Sequence, residues 1–266
     1  MPKRDLYFSH PLMNAAGMLG FAPDFRSLKD FGSLDLGAFV TNPLSLRPRK
    51  PTARPEALNY PGGFLLHTGL PNPGFSAAVR QHARHWRNAD LPVIVHLMAD
   101  RPEETAKMVE RLEGLENVMA AELGFAPLLA DDILLITLDM CLGELPLVVN
   151  LPREQALTLG PRLVDAGAAA VSLAAPRGAL TPLSSPHFPE DNGGTEGGRV
   201  ITGRLYGPSL FPQALETVYQ AARIGLPVIG AGGVYKREQA EAMLGAGALA
   251  VQLDAVLWRG GMAGNF

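Results

Sequence analysis

The amino-acid sequence predicts an α/β protein with a single (β/α)8 barrel that extends over residues 1–266. The length is typical of one such barrel. Short apolar runs recur along the chain with helical patterns between them, which is typical of parallel strands joined by helices. Near the end, an apolar run from Leu226 to Val234 carries the turn Gly-Ala-Gly-Gly and is followed by a helix and another apolar run. This is the pattern of the last two units of a phosphate-binding barrel.

Each of the eight predicted strands corresponds to one apolar run of the sequence. The predicted strands are Leu12–Ala16, Ala38–Asn42, Pro92–Leu97, Val118–Leu123, Leu145–Leu151, Ala169–Ala174, Pro227–Gly230 and Ala248–Leu253. Several helices between them begin at clear signals. For example, proline and two acidic residues at 102–104 favour the first turn of a helix, because acidic side chains interact well with its positive end.

Two connections and the C-terminal end depart from the regular barrel pattern. Residues 43–73 follow the second strand and residues 175–207 follow the sixth, and both are much longer than ordinary turns. Both follow the carboxyl end of a strand, where barrel active sites lie. We expect the Gly- and Pro-rich part at 184–198 to form a mobile lid or, alternatively, a disordered insertion. After the eighth strand only residues 255–266 remain, so part of the outer wall near strands one and eight is expected to be either bare or covered by a second copy or a partner chain.

Composition narrows the classes of function. The net charge is −3 and the basic residues are scattered, so nucleic acid is not an expected partner. The single cysteine, Cys141, excludes an intrachain disulfide and a cysteine-based metal site. No apolar run reaches 18 residues and no signal peptide is evident, so a cytoplasmic protein without a membrane span is expected. No spaced set of histidines and carboxylates offers three metal ligands, and no metal is expected.

Seven motifs in series resemble the dihydroorotate dehydrogenase family. In chain order they are Pro11-Leu-Met-Asn-Ala-Ala-Gly17, Gly37-Ala-Phe-Val-Thr-Asn-Pro-Leu-Ser-Leu-Arg-Pro-Arg49, Gly69-Leu-Pro-Asn-Pro-Gly74, Ala121-Glu-Leu123, Val148-Val-Asn-Leu151, Gly207-Pro-Ser-Leu-Phe-Pro212 and Gly230-Ala-Gly-Gly-Val234. The resemblance covers about residues 5–258. It implies an FMN-dependent barrel of pyrimidine biosynthesis that oxidises dihydroorotate to orotate.

Compared with the family pattern, the chain lacks most of the residues that the resemblance assigns to catalysis. The family lysines at the ends of strands two and five correspond to Asn42 and Asn150, and all five lysines of the chain lie outside the predicted strands. The family's proton acceptor falls within residues 125–128, which contain no proton-accepting side chain. The asparagines that hold orotate correspond to Leu66, Gly124 and Ala174-Ala175. Because each hydrogen bond to a charged group contributes about 1.5–3 kcal/mol, we expect that this chain does not oxidise dihydroorotate by the family mechanism.

The resemblance also assigns a flavin site. The residues that correspond to it are Ala16, Gly17, Asn42, Asn150, Gly203, Arg204, Gly207, Gly230, Gly232 and Gly233. The family's Gly-Gly-x-Ser-Gly is Gly203-Arg-Leu-Tyr-Gly207 here, and its Gly-Thr after strand eight is Asp254-Ala255. Asp254 would repel a phosphate unless Arg204 or Arg259 neutralised it, whereas Arg204 could also bind the phosphate directly. The alternative interpretation is that the glycines serve only turns and close packing.

Four further polar residues are candidates for chemistry at the barrel mouth. His96 and Glu122 lie on neighbouring predicted strands, and a carboxylate that orients an imidazole is a general acid–base arrangement. The other interpretation of this pair is a hydrogen-bonded filling of the barrel end. His67 and Asn72, in the long connection after strand two, are candidate substrate contacts.

Three functions are therefore compatible with the sequence. The first is an FMN-linked oxidoreductase of the dihydroorotate dehydrogenase type with altered or lost substrate chemistry. The second is a catalytically silent family member that acts by binding a small-molecule or phosphate-bearing ligand, or as a partner subunit. The third is a barrel enzyme of another class that uses His96 and Glu122 on a phosphorylated metabolite.

Overall fold

The computed structural model describes residues 5–23, 35–54, 56–127, 129–181 and 200–258. Within these ranges the strands are β1 (Leu12–Asn14), β2 (Phe39–Val40), β3 (Glu56–Tyr60), β4 (Gly63–His67), β5 (Val93–Met98), β6 (Val118–Gly124), β7 (Leu147–Leu151), β8 (Ala170–Leu173), β9 (Arg177–Leu180), β10 (Ile201–Tyr206), β11 (Val228–Ala231) and β12 (Ala250–Leu253). Eight of them form a parallel sheet in the order β1-β12-β11-β8-β7-β6-β5-β2. The predicted barrel and its eight strands are confirmed.

The barrel closes between β1 and β2, where the ladder is weakest. These two strands share a single parallel bridge, between Met13 and Ala38. The buried side-chain amide of Asn14 supplies the missing hydrogen bonds: its Nδ2 donates to the Val40 carbonyl at 2.6 Å and its Oδ1 accepts from the Val40 amide at 3.0 Å. One side chain therefore replaces part of a backbone ladder, and both Val40 groups are satisfied.

Six helices lie outside the strands in the described residues. They are α1 (Phe75–Arg87), α2 (Pro102–Glu113), α3 (Asp131–Cys141), α4 (Arg153–Ala166), α5 (Phe211–Arg223) and α6 (Arg237–Gly245). The predicted start of α2 is confirmed, with Pro102 in its first turn. After β12 the chain forms a short 3-10 turn at Ala255–Trp258, of which the first three residues are buried. Whether a second chain covers this wall stays a prediction.

The inside of the barrel consists of layers of side chains. The lower layer is apolar and every barrel strand contributes to it, with members such as Met13, Ile94 and Ala250. Because side chains alternate along a strand, the residue two places later points inward one layer higher. On five strands that residue is polar and buried, namely His96, Glu122, Asn150, Ser172 and Gln252. A layer of buried polar side chains therefore lies directly above the apolar layer inside the barrel.

A four-stranded antiparallel sheet, which we call the roof sheet, has the order β3-β4-β10-β9. It is formed by the two long connections, because β4 from the first pairs with β10 from the second. These strands were not predicted, since the sequence indicated only irregular connections there. Their alternating runs are short and interrupted by glycines, and the β4–β10 pairing joins distant parts of the chain. The segment 184–198, expected as a lid or an insertion, lies outside the described residues.

Candidate functional site

The buried carboxylate of Glu122 is the centre of the polar layer. Its Oε2 lies 2.6 Å from His96 Nδ1. Its Oε1 accepts hydrogen bonds from Ser172 Oγ at 2.6 Å and from Gln252 Nε2 at 2.7 Å. Asn150 Nδ2 in turn donates to Ser172 Oγ at 2.9 Å. Five polar side chains from five strands thus form one connected network.

The network keeps Glu122 ionised. Burial raises the pKa of Glu122, but the hydrogen bonds from His96, Ser172 and Gln252, together with the charge of His96, outweigh burial, and the pKa lies below its ordinary value. Because the carboxylate can only accept, His96 Nδ1 carries the hydrogen of the 2.6 Å bond. The predicted His96–Glu122 pair is therefore confirmed as a contact, whereas its role in catalysis stays a prediction.

The position of His96 depends on Gly124. A Cβ atom added at Gly124 would overlap His96 Nε2 and Cε1. The His96 imidazole therefore requires glycine at the end of β6. The resemblance assigns an asparagine of the family pattern to this position. Gly124 also lines a cavity at the mouth, together with Asn150 and Phe125.

The glycine turn after β11 makes a contact that the sequence did not reveal. Each oxygen of the Asp254 carboxylate accepts a hydrogen bond from a backbone amide. Oδ2 accepts from the Gly233 amide in the turn at 3.2 Å, and Oδ1 accepts from the Ala255 amide after β12 at 2.6 Å. Burial raises the pKa of Asp254 to about 6, and these backbone hydrogen bonds only partly offset it. Amides that could receive an anion are thus already bound to a side chain of the same protein.

Four of the six glycines assigned to the flavin site pack closely against neighbouring elements, and Gly17 and Gly232 do not. A Cβ at Gly203 would collide with the Leu66 carbonyl, one at Gly207 with the turn between β3 and β4, and one at Gly230 with Met243 of α6. Gly233 has a positive φ of 71°, and a Cβ there would overlap the backbone of Phe211. Close packing therefore accounts for these positions without a ligand.

Large side chains of β10 fill the centre of the mouth. Tyr206 is buried, and its ring stacks near Phe64 and Trp258, with centroid distances of 5.6 Å to each. Burial raises the pKa of the Tyr206 phenol, and the Arg204 guanidinium that hydrogen-bonds to it partly offsets this effect. What remains is a central cavity of about 30 Å³, which has room for about one water molecule. Among the residues lining it are Ala16, His96, Glu122, Asn150, Arg204, Tyr206, Gly232 and Asp254.

A larger cavity, which we call the side cavity, opens next to this centre between the ends of β6, β7 and β8. Its volume is about 250 Å³. Phe125, Pro127 and Leu129 form much of its wall, and Asn150 lies on its boundary with the central cavity. Arg177 and Arg204 line it on the side of the roof sheet, and both also line a third cavity of about 180 Å³.

Several predicted site residues have structural partners instead. Asn42 Oδ1 accepts from the Gly20 amide at 3.1 Å, and Asn42 does not line the central cavity. His67 contacts the Thr202 carbonyl through Nδ1 at 2.8 Å, which ties the two connections together in the roof sheet. Asn72 is buried and accepts from the Gly74 amide at 3.0 Å. Substrate contacts by His67 and Asn72 stay predictions, as does a flavin contact by Gly17, which lies in a turn with φ 92°.

No described lysine takes over from the two that the family pattern lost. Lys50, Lys107 and Lys236 are all exposed, and none lines the central or the side cavity. Within the same described ranges, no group of three or more histidine, cysteine or acidic side chains could hold a metal ion. Nor is any described helix long and apolar enough to span a bilayer.

Comparison with known proteins agrees with this architecture. A model of the dihydroorotate dehydrogenase family matches residues 4–124. Curated proteins named dihydroorotate dehydrogenase B (NAD(+)), catalytic subunit, match almost the whole chain. The one from Pelobacter propionicus is 31% identical, with 93% of this chain and 84% of the relative covered. The one from Geobacter sulfurreducens is also 31% identical, with 92% and 82% covered.

The chain belongs to the dihydroorotate dehydrogenase family. The resemblance to this family assigns an FMN site, and the residues at its positions can be compared with what FMN requires. The phosphate position fits poorly, because Asp254 places a carboxylate on the Gly233 and Ala255 amides. The 203–207 motif fits poorly as well, because Arg204 and Tyr206 stand where the family pattern has glycine and serine. Both line the central cavity, whose volume is only about 30 Å³.

Proposed function

We propose that this chain is a dihydroorotate dehydrogenase family member that works without FMN and binds a small molecule at the mouth of the barrel. The observation that carries the proposal is the Asp254 carboxylate, which accepts hydrogen bonds from the Gly233 and Ala255 amides. A phosphate would have to displace this carboxylate and would meet its negative charge. The second of the three functions compatible with the sequence is therefore favoured.

The remaining catalytic positions support the same conclusion. A reduced flavin is stabilised by a nearby cation, yet Asn150 stands at the family lysine position and donates to Ser172 instead. An amide supplies no net charge, and electrostatic stabilisation is usually the largest catalytic contribution. The positions of the family's proton acceptor contain Phe125, Ala126 and Pro127, which line the side cavity and cannot accept a proton.

The geometry also argues against acid–base catalysis by the His96–Glu122 pair. Both Glu122 oxygens already accept hydrogen bonds. The central cavity that His96 lines holds about one water molecule and no substrate-sized group. The pair thus orders the polar layer beneath a binding cavity.

Flavin binding can be tested directly with the purified protein. We expect no absorption band between about 350 and 500 nm and no quenching of FMN fluorescence on titration, while the Geobacter sulfurreducens relative serves as the comparison. A variant with Arg204→Gly, Tyr206→Ser and Asp254→Gly removes the three obstructing side chains and should bind FMN more tightly than the wild type. Wild-type protein that copurifies with one FMN per chain would overturn the proposal.

We also propose that the chain associates through the wall beside β1 and β12. The relatives are named catalytic subunits, which raises the same question of a partner for this chain. After β12 the described residues form the short turn Ala255–Trp258, in which the large apolar side chain of Trp258 is exposed. Sedimentation at micromolar concentration should show a dimer or a complex with a copurified chain, and a clean monomer would contradict this assignment.

A further inference from the structure

We propose that the side cavity binds a small organic acid with an apolar body, whose anionic head lies between Arg177 and Arg204. The inference rests on the proposed flavin-free function and specifies the ligand of that site. A carboxylate and a phosphate monoester share the required chemistry, since both present planar or bidentate oxygen pairs to a guanidinium.

The two arginines are held in a fixed relation by the roof sheet. Arg204 on β10 is the direct cross-strand partner of Arg177 on β9. Directly opposed residues of an antiparallel pair extend from the same face, and like charges in this arrangement repel each other. An anion between the two guanidinium groups removes that repulsion and gains two charge-assisted contacts.

The described residues offer these arginines no acidic partner. The ion pairs within the described ranges involve Arg87, Arg101, Arg153, Arg162 and His96, and neither Arg177 nor Arg204 is among them. Asp254 lines the central cavity together with Arg204, and its two oxygens accept hydrogen bonds from the Gly233 and Ala255 amides. Among the described residues, Arg204 hydrogen-bonds to the Tyr206 phenol, which does not neutralise its charge.

The rest of the cavity selects an apolar body. Its wall between β6 and α3 is formed by Phe125, Pro127, Leu129 and Leu134. Phe125 and Pro127 lie in the segment that the resemblance assigns to the family's proton acceptor. Gly124, Ala174 and Ala175, which also line the cavity, correspond to asparagines that hold orotate in the family pattern. Burial of apolar ligand surface against this wall contributes about 25 cal/mol per Å², whereas a polar pyrimidine edge would lose hydrogen bonds there.

The size of the cavity limits the ligand to a small molecule. A volume of about 250 Å³ is just below the range of about 300–1,000 Å³ that is usual for drug-sized ligands. The amide of Asn150 and the side chain of Gln155 are the polar groups on the side opposite the arginines. Because Asn150 Nδ2 is already bound to Ser172, its carbonyl oxygen is the group that can accept a hydrogen bond from the far end of a ligand.

The experiment compares four probes by NMR titration of the full-length protein: phenylacetate, phenyl phosphate, the neutral analogue phenylacetamide, and orotate. We expect at least one of the two aryl acids to bind about tenfold or more tightly than phenylacetamide and more tightly than orotate. The stronger acid identifies the head group. Equal affinity for acid and amide, or strongest binding by orotate, would overturn the proposal.

Substitutions of the two arginines test whether the acid binds in the side cavity. Arg204→Met and Arg177→Met keep much of the side-chain bulk and remove the charge, so each should weaken binding of the better acid about tenfold or more and leave phenylacetamide unchanged. Arg87→Met is the matched control, because Arg87 is about half exposed on α1 and outside the cavity. Wild-type affinity in both cavity variants would sink the assignment. FMN in the purified protein would instead contradict the flavin-free function, so the two failures differ.

Discussion

The replacement Asp254→Asn separates charge from shape at the glycine turn. The amide keeps an oxygen that can accept from the Ala255 amide but removes the negative charge that burial disfavours. In the wild type, the pKa of Asp254 is raised from 3.8 to about 6. A carboxyl whose folded pKa lies above its unfolded pKa stabilises the fold only while it is protonated. Its contribution is therefore complete below pH 4 and is lost as the pH rises through 6.

The size of this effect follows from the two pKa values. A shift of about 2 units corresponds to about 3 kcal/mol of lost stability between low and neutral pH, at 1.36 kcal/mol per unit. Roughly half of this loss falls between pH 5 and pH 7.5. The Asp254→Asn variant lacks this titration. The difference in free energy of unfolding between the variant and the wild type should therefore change in favour of the variant by about half of this loss between pH 5 and pH 7.5.

Urea denaturation of both proteins between pH 5 and pH 7.5 measures the difference directly. Other titrating groups, including Glu122, are the same in both chains and cancel in the comparison. Two stability curves that run parallel across this range would refute the reasoning, because they would mean that Asp254 titrates alike in the folded and unfolded chains.

Three further variants test the polar layer and the barrel seam, each by urea denaturation. Glu122→Gln removes the charge and turns one of the two acceptor oxygens into a donor, so the contacts with His96 and with Ser172 and Gln252 cannot all be kept. It should lower the free energy of unfolding by about 3 kcal/mol; a loss below 1 kcal/mol would show that the network is dispensable. Gly124→Ala should cost about 1–3 kcal/mol through overlap with His96, and much less in a His96→Ala background, because the two sites are coupled. Asn14→Ala leaves both backbone groups of Val40 without partners and should cost about 2–4 kcal/mol; a neutral result would mean that water replaces the amide.

The barrel could be predicted because its strands are buried on both faces and appear as apolar runs. The contact between His96 and Glu122 could be predicted for a related reason: neighbouring parallel strands place residues at the same height, and these two are direct partners in the β5–β6 register. Ser172 and Gln252 were missed, although each follows an inward-facing alanine by two positions. The alternation of inward and outward side chains would have indicated both.

Other parts of the site depend on contacts that no local pattern reveals. The sequence showed that Asp254 brings a negative charge to the phosphate position, but not that its oxygens bind the Gly233 and Ala255 amides. That contact requires the distance between the ends of β11 and β12. The roof sheet was missed for the same reason, because β4 and β10 meet only when the barrel has brought them together.

The late meeting of β4 and β10 has a consequence for how the binding site is acquired during folding. The Tyr60 hydroxyl lies 3.4 Å from the Tyr206 carbonyl, a contact across 146 residues. Closing so long a loop is entropically unfavourable until other contacts shorten it, so the pairing follows assembly of the strands beneath. Arg204, which β10 carries opposite Leu66 of β4, reaches its place at the side cavity only in that final step. A newly made chain therefore acquires affinity for an anion only after the whole barrel is closed.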